Sequence, residues 1–113
     1  MICPNCETEG SVTTLARMMI DMDERSREYR AWLRCEQCRA CYFGTSEEYF
    51  FDDDFIFTLY GAEAEGWEVS LARALKCPRK EDPDCKCPAH TTLPEGMGTL
   101  ISYTPVFYPK DYS

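Results

Sequence analysis

Apolar and polar residues alternate along two stretches near the N-terminus. Val12, Thr14, Ala16, Met18 and Ile20 share one face of an extended segment, and Tyr29, Ala31 and Leu33 share one face of another. A period of two marks half-buried strands, and the polar run DMDERSRE (residues 21–28) between them reads as a hairpin turn. The same region also fits a helical stripe through Leu15, Met18, Met19, Met22, Tyr29 and Leu33. Periodicity alone leaves hairpin and helix both open.

Downstream, YFGTSEEYFFDDDFIFTLYG (residues 42–61) is rich in aromatic and β-branched residues and predicts strands near 40–50 and 54–60. Asp52, Asp53 and Asp54 form the turn between them, with Phe51, Phe55 and Phe57 expected in the core. Ala64, Trp67, Leu71, Ala74 and Leu75 then recur at helical spacing, which predicts one amphipathic helix over about 62–76. Gly66 weakens its start, by up to about 1 kcal/mol, and Pro78 ends it. TLISYTPVFYP, near the C-terminus, reads as an edge strand bent at Pro105.

The cysteines change this picture from a list of elements to a fold. There are eight in 113 residues, a density that signals disulfides in an exported chain and metal or redox chemistry elsewhere. The opening MICPNCETEG has neither a basic nor an apolar leader pattern, so metal and a cytoplasmic location are expected. No apolar run approaches the ~20 residues of a membrane span.

Cys3-Pro4-Asn5-Cys6 and Cys35-Glu36-Gln37-Cys38 are two C-x-x-C units. Each can aim two thiolates at one ion, and two together complete a tetrahedral zinc site. This pairing also decides between helix and hairpin. A helix over 15–34 would be about 30 Å long. The run from Cys6 to Leu15 spans at most about 30 Å when fully stretched. A helix would need a taut return loop to bring Cys35 back to Cys6, whereas a hairpin does so naturally.

The paired units and the hairpin between them resemble the zinc-ribbon superfamily over residues 3–38. The resemblance implies a structural zinc held by Cys3, Cys6, Cys35 and Cys38 at the root of a β-hairpin. Many ribbons carry glycine soon after the second cysteine of each turn; here Glu7 and Arg39 stand there. The other reading of these four is a pair of disulfides or free thiols.

Cys41 adds a third cysteine at two-residue spacing. With Cys35, Cys38 and a distant Cys77-Pro78, it also matches a four-iron ferredoxin-type pattern. That assignment would strand Cys3 and Cys6. A buried thiol at a strand start is the simpler reading of Cys41.

The third group is KCPRKEDPDCKCPAH (residues 76–90), which holds Cys77, Cys85, Cys87 and the chain's single histidine, His90. A Cys3His set makes a closed zinc site. Pro78, Pro83 and Pro88 lower the unfolded-state entropy of a loop with little to bury. Lys76, Arg79, Lys80 and Lys86 surround the thiolates with positive charge. The expected cofactors are therefore two structural Zn2+ ions.

These assignments leave little for catalysis. Four protein ligands mark a structural ion, whereas three and an open position mark a catalytic one. With His90 a ligand, no Ser-His or Cys-His pair can be assembled. The expectation is a single α+β zinc-binding domain over 1–113. A zinc-ribbon-like antiparallel sheet (1–60) leads into the helix and second metal loop (61–92), and a C-terminal strand segment follows (93–113).

Charge suggests how such a domain would meet a partner. The net charge is −8, and residues 40–68 hold eight acids and no base. Bound thiolates would take the folded charge to roughly −11. This disfavours general phosphate-backbone binding and points to a protein partner, a basic one by complementarity, at the segment Tyr42–Tyr60. A nucleic-acid-associated ribbon is the alternative, using Arg17, Arg25, Arg27, Arg30 and Arg34 with Trp32 for stacking. Interleaved Asp21, Asp23, Glu24 and Glu28 oppose it. An iron–sulfur protein is the third reading.

Overall fold

The computed structural model describes residues 2–49, 55–91 and 97–101; side chains at 55, 56, 91 and 97–101 are outside the description. Within these residues five strands and two helices follow in the order β1 (Val12–Met22), β2 (Ser26–Cys35), β3 (Cys41–Tyr49), β4 (Phe55–Ala62), α1 (Ala64–Leu75), α2 (Pro88–Thr91) and β5 (Met97–Ile101). The strands form one antiparallel sheet in sequential order, so each pairs with its chain neighbour. This is an α+β arrangement. The residues that fit both a hairpin and a helix form the hairpin, with Val12 opposite Cys35 and Met22 opposite Arg27. Asp23 closes its turn by accepting the Arg25 and Ser26 amides at 2.7 and 2.8 Å. The Asp52–Asp54 turn, Phe51 and the bend at Pro105 lie outside the described residues.

β1 departs from the single-faced strand expected of it. Register shifts lie between Thr14 and Ala16 and between Met19 and Asp21. Each inserts an unpaired residue, and one extra residue moves all later side chains to the opposite face. Val12 therefore packs with Leu33 and Cys35, whereas Ala16 and Met18 pack with Trp32 and Phe43. β1 therefore contributes to both buried faces. The first also holds Cys3, Ala31, Tyr42, Phe57 and Leu59. The second receives α1 through Trp67 and Ala74 and the later cysteine loop through Cys77 and Ala89.

Two tryptophans fasten the helix to the second face. The Trp32 indole N–H donates to Ser70 Oγ at 3.0 Å, and the Trp67 N–H donates to the Tyr42 carbonyl at 2.9 Å. Trp32 also meets Phe43 edge-on, with ring centroids 6.2 Å apart. Leu75, expected on the buried stripe, is 55% exposed. The helix buries Trp67, Ser70 and Ala74; with Ala74 facing inward, its neighbour Leu75 turns outward. On the first face, Gly44 lets Phe57 cross the sheet. A Cβ there would sit 2.9 Å from Phe57 Cζ and 3.1 Å from Leu33 Cδ1.

At the hairpin end of the sheet, Asp21 lies opposite Glu28, and Glu28 opposite Glu47. Three acids thus run side by side across three strands. Partial burial and the charges of Glu47 and Asp21 raise the Glu28 pKa. Like charges directly opposite are destabilising. A carboxyl whose pKa is raised by folding favours the fold when protonated and opposes it when ionised. Glu28→Gln should therefore raise stability at pH 8 by about 0.2–1 kcal/mol. Its advantage should shrink as pH falls toward the raised Glu28 pKa, as denaturant titrations of both proteins at pH 8 and 5.5 would register.

Candidate metal centres

Two groups of side chains converge to within 4.8 Å: Cys3, Cys6, Cys35 and Cys38, and Cys77, Cys85, Cys87 and His90. All eight cysteines are free thiols. Both groups could hold metal ions.

The first cluster is built from two matching turns. The Cys3 amide donates to the Thr8 carbonyl (3.1 Å), and the Glu7 amide to the Cys3 carbonyl (2.8 Å). In the second turn the Cys35 amide donates to the Ala40 carbonyl and the Arg39 amide to the Cys35 carbonyl, both at 2.9 Å. The two turns carry the same pair of bonds at the same offsets. One turn precedes β1, and the other connects β2 to β3. Because β1 and β2 form a hairpin, the turns meet at the same end of the sheet, held further by the Glu36 amide on the Ser11 carbonyl at 2.8 Å.

Sulfur spacing fits one ion. Four sulfurs about 2.3 Å from a tetrahedral centre lie about 3.8 Å apart. Cys3 and Cys38 are 3.8 Å apart, and Cys6 and Cys35 are 3.6 Å apart. Each sulfur also has a polar side chain beside it. Tyr42 Oη lies 3.2 Å from Cys3, Thr8 Oγ1 3.3 Å from Cys6, Ser11 Oγ 3.1 Å from Cys35 and Asn5 Nδ2 3.3 Å from Cys38. Ser11 also donates to the Thr8 carbonyl. Such groups stabilise thiolates and fix ligand orientation. Burial opposes ionisation of Cys35, yet bonds from Ser11 and from the Cys38 and Gln37 amides outweigh it and lower its pKa to about 6.

Glu7 and Arg39, the residues standing where many ribbons have glycine, adopt φ of 61° and 68°. The turn thus needs a left-handed residue at both places and obtains it from side chains for which that region is unfavourable. The Arg39–Glu36 contact is long at 3.9 Å and exposed, so little is lost by removing it. Glu7→Gly and Arg39→Gly together should stabilise the domain by about 1 kcal/mol. A rise in Tm with unchanged metal content is the expected reading.

The second cluster starts where α1 ends. Cys77 Sγ lies 3.8 Å from Cys85 Sγ, and His90 Nδ1 lies 3.4 Å from Cys77 Sγ and 3.1 Å from Cys87 Sγ. On the opposite side of the ring, His90 Nε2 lies 3.0 Å from the Met19 carbonyl oxygen. A carbonyl can only accept, so Nε2 carries a hydrogen and donates it, which leaves Nδ1 facing the thiols. Metal-bound histidines are oriented in this way by their second nitrogen. Burial opposes ionisation of Cys87, but the His90 side chain and backbone outweigh it and lower its pKa to about 6; burial raises Cys77 to about 11.

Cys41 joins neither group. It is half-buried with the second-face residues, and burial raises its pKa. The ferredoxin-type grouping is not assembled: Cys35 and Cys38 join Cys3 and Cys6, while Cys77 sits in the other cluster. The polar residues beside the sulfurs were not read from the sequence. Asn5, Thr8 and Ser11 are close enough along the chain to have been suspected. Tyr42 and Met19 depend on strand register and loop docking, which no local pattern reveals.

An open cleft of about 470 Å³ adjoins the first cluster, lined in part by Pro4, Asn5, Cys41, Tyr42 and Gly61. Its described lining has no carboxylate or imidazole. Among the described residues, no helix is long and apolar enough to cross a membrane. Compared with family models, curated proteins and solved structures, the chain matches none.

Proposed function

We propose that this chain is a non-catalytic, zinc-stabilised interaction protein that works in the cytoplasm. In this reading both clusters hold structural Zn2+, in a ribbon-like first centre and a Cys3His second centre. The acidic segment Tyr42–Tyr60 meets a basic protein partner, for which the domain acts as a small adaptor, modulator or inhibitor. The supporting observation is that each cluster gathers four ligands, with the single histidine committed through both nitrogens. Zinc suits a set of seven thiols and one imidazole. A reducing compartment keeps such thiols available.

The nucleic-acid alternative loses its stacking residue: Trp32 is 1% exposed and bonded to Ser70. Several of its arginines are also engaged. Arg17 lies over the Tyr29 ring and against Glu48, and Arg30 donates to the Ala89 carbonyl.

Elemental analysis of the purified protein tests the metal, with two zinc ions and no iron expected per chain. Partners captured on the immobilised protein test the surface. Those that elute with salt should bind the triple variant Asp52→Ala, Asp53→Ala, Asp54→Ala more weakly, with a smaller salt dependence. Unchanged affinity would remove the acidic segment from the reading.

A further inference from the structure

We infer that the second cluster is a metal-responsive clasp on the edge of the sheet, distinct in role from the first. The inference rests on the proposal that this cluster takes Zn2+. Among the described strands, β1 stands at an edge of the sheet, with β2 as its neighbour. Edge strands need protection, and bulges supply some of it. Here the register shifts fall on either side of the stretch Ala16–Met19. Within that stretch, Met19 turns both main-chain groups to the metal loop. Its amide donates to the Lys80 carbonyl at 2.8 Å, and its carbonyl accepts from His90 Nε2 at 3.0 Å.

Both partners belong to the loop that the ion would close. Lys80 lies between the ligands Cys77 and Cys85, and its own ammonium donates to the Cys77 carbonyl at 3.2 Å. His90 is itself a ligand candidate, whose Nδ1 faces the thiols while Nε2 holds Met19. One imidazole thus joins the metal to the sheet edge. Arg30 on β2 adds a tie through the Ala89 carbonyl at 3.4 Å. When the ion leaves, His90 loses its orientation and the loop loses its closure, so both bonds to Met19 open.

The two clusters differ in what their loss would break. The first draws its ligands from two turns that bracket the β1–β2 hairpin, so it cannot open without parting the roots of the sheet. The second takes all four ligands from residues 77–90, and its opening is a local event that leaves the central strands paired. The second ion is therefore the exchangeable one.

The test is amide hydrogen exchange, resolved by residue, on the full chain with Zn2+ counted alongside. Three samples are compared: the fully loaded protein, the same protein under graded chelation, and His90→Ala. Graded chelation should remove one Zn2+ first. At that point, and in His90→Ala with one Zn2+, the Met19 amide should exchange at least about tenfold faster, while Leu33 and Phe43 keep their protection. Unchanged protection at Met19 with one ion lost would overturn the clasp. Equal loss of protection at Leu33 and Phe43 would also overturn it, because the second ion would then hold the whole fold. A fully loaded protein with one Zn2+ per chain would instead remove the metal reading of the second cluster, and the clasp with it.

Discussion

Cys35→Ser is expected to be unfolded at 25 °C. Cys35 is fully buried, ends β2, and sits opposite Val12 in the sheet. Its amide and carbonyl hold the second turn, and its sulfur faces Cys6 at 3.6 Å. An intact structural zinc contributes an apparent ~10–16 kcal/mol that is coupled to folding. A domain of this size has only about 5–15 kcal/mol in total. Losing one ligand need not forfeit the whole amount, but a fraction of it is enough. Serine is also a poor zinc ligand in place of a thiolate. Far-UV circular dichroism should show loss of the strand signal, and the variant should retain less than one full equivalent of metal at this cluster. A cooperative melt within a few degrees of the parent protein would show that the first cluster does not carry the fold.

Trp32→Ala is expected to have the next largest effect, a loss of about 3–5 kcal/mol. The side chain is buried between the sheet and α1, where it meets Phe43 edge-on and donates to Ser70. Alanine removes the packing, leaves a cavity and takes away the donor to a buried hydroxyl. Trp32→Phe separates these contributions. It keeps much of the apolar volume and loses the indole bond, at a cost nearer 1 kcal/mol. Urea titrations of both variants check the difference. Similar losses would mean that the bond to Ser70, rather than the packing, dominates at this position.

These two residues also show how far the chain could be read without coordinates. The grouping of Cys35 with Cys3, Cys6 and Cys38 was legible because candidate ligands for one ion recur at a short fixed spacing, which survives as a motif. The same arithmetic grouped Cys77, Cys85, Cys87 and His90. Trp32 was not: it looked like a stacking residue among arginines, because an aromatic with basic neighbours has the same pattern on a surface and under a helix. Its burial follows from α1 folding back over that face, a long-range event. The single face assigned to β1 failed for a related reason. A bulge adds one residue without altering composition, and nothing in VTTLARMMI announces it. Glu7 and Arg39 show the reverse case, where backbone geometry overrides residue preference at both turns.

Tyr42 joins the two sides of the sheet. Its hydroxyl lies 3.2 Å from Cys3 Sγ on one face, and its carbonyl accepts the Trp67 indole N–H at 2.9 Å on the other. A single residue therefore separates the first cysteine cluster from a buried fluorophore. Any change in that cluster's sulfur charge is felt by the Tyr42 ring, and any shift of the strand is felt by the indole. Loading the first cluster with an ion is therefore expected to change the tryptophan emission without a label, and the Trp32→Phe variant would assign that change to Trp67.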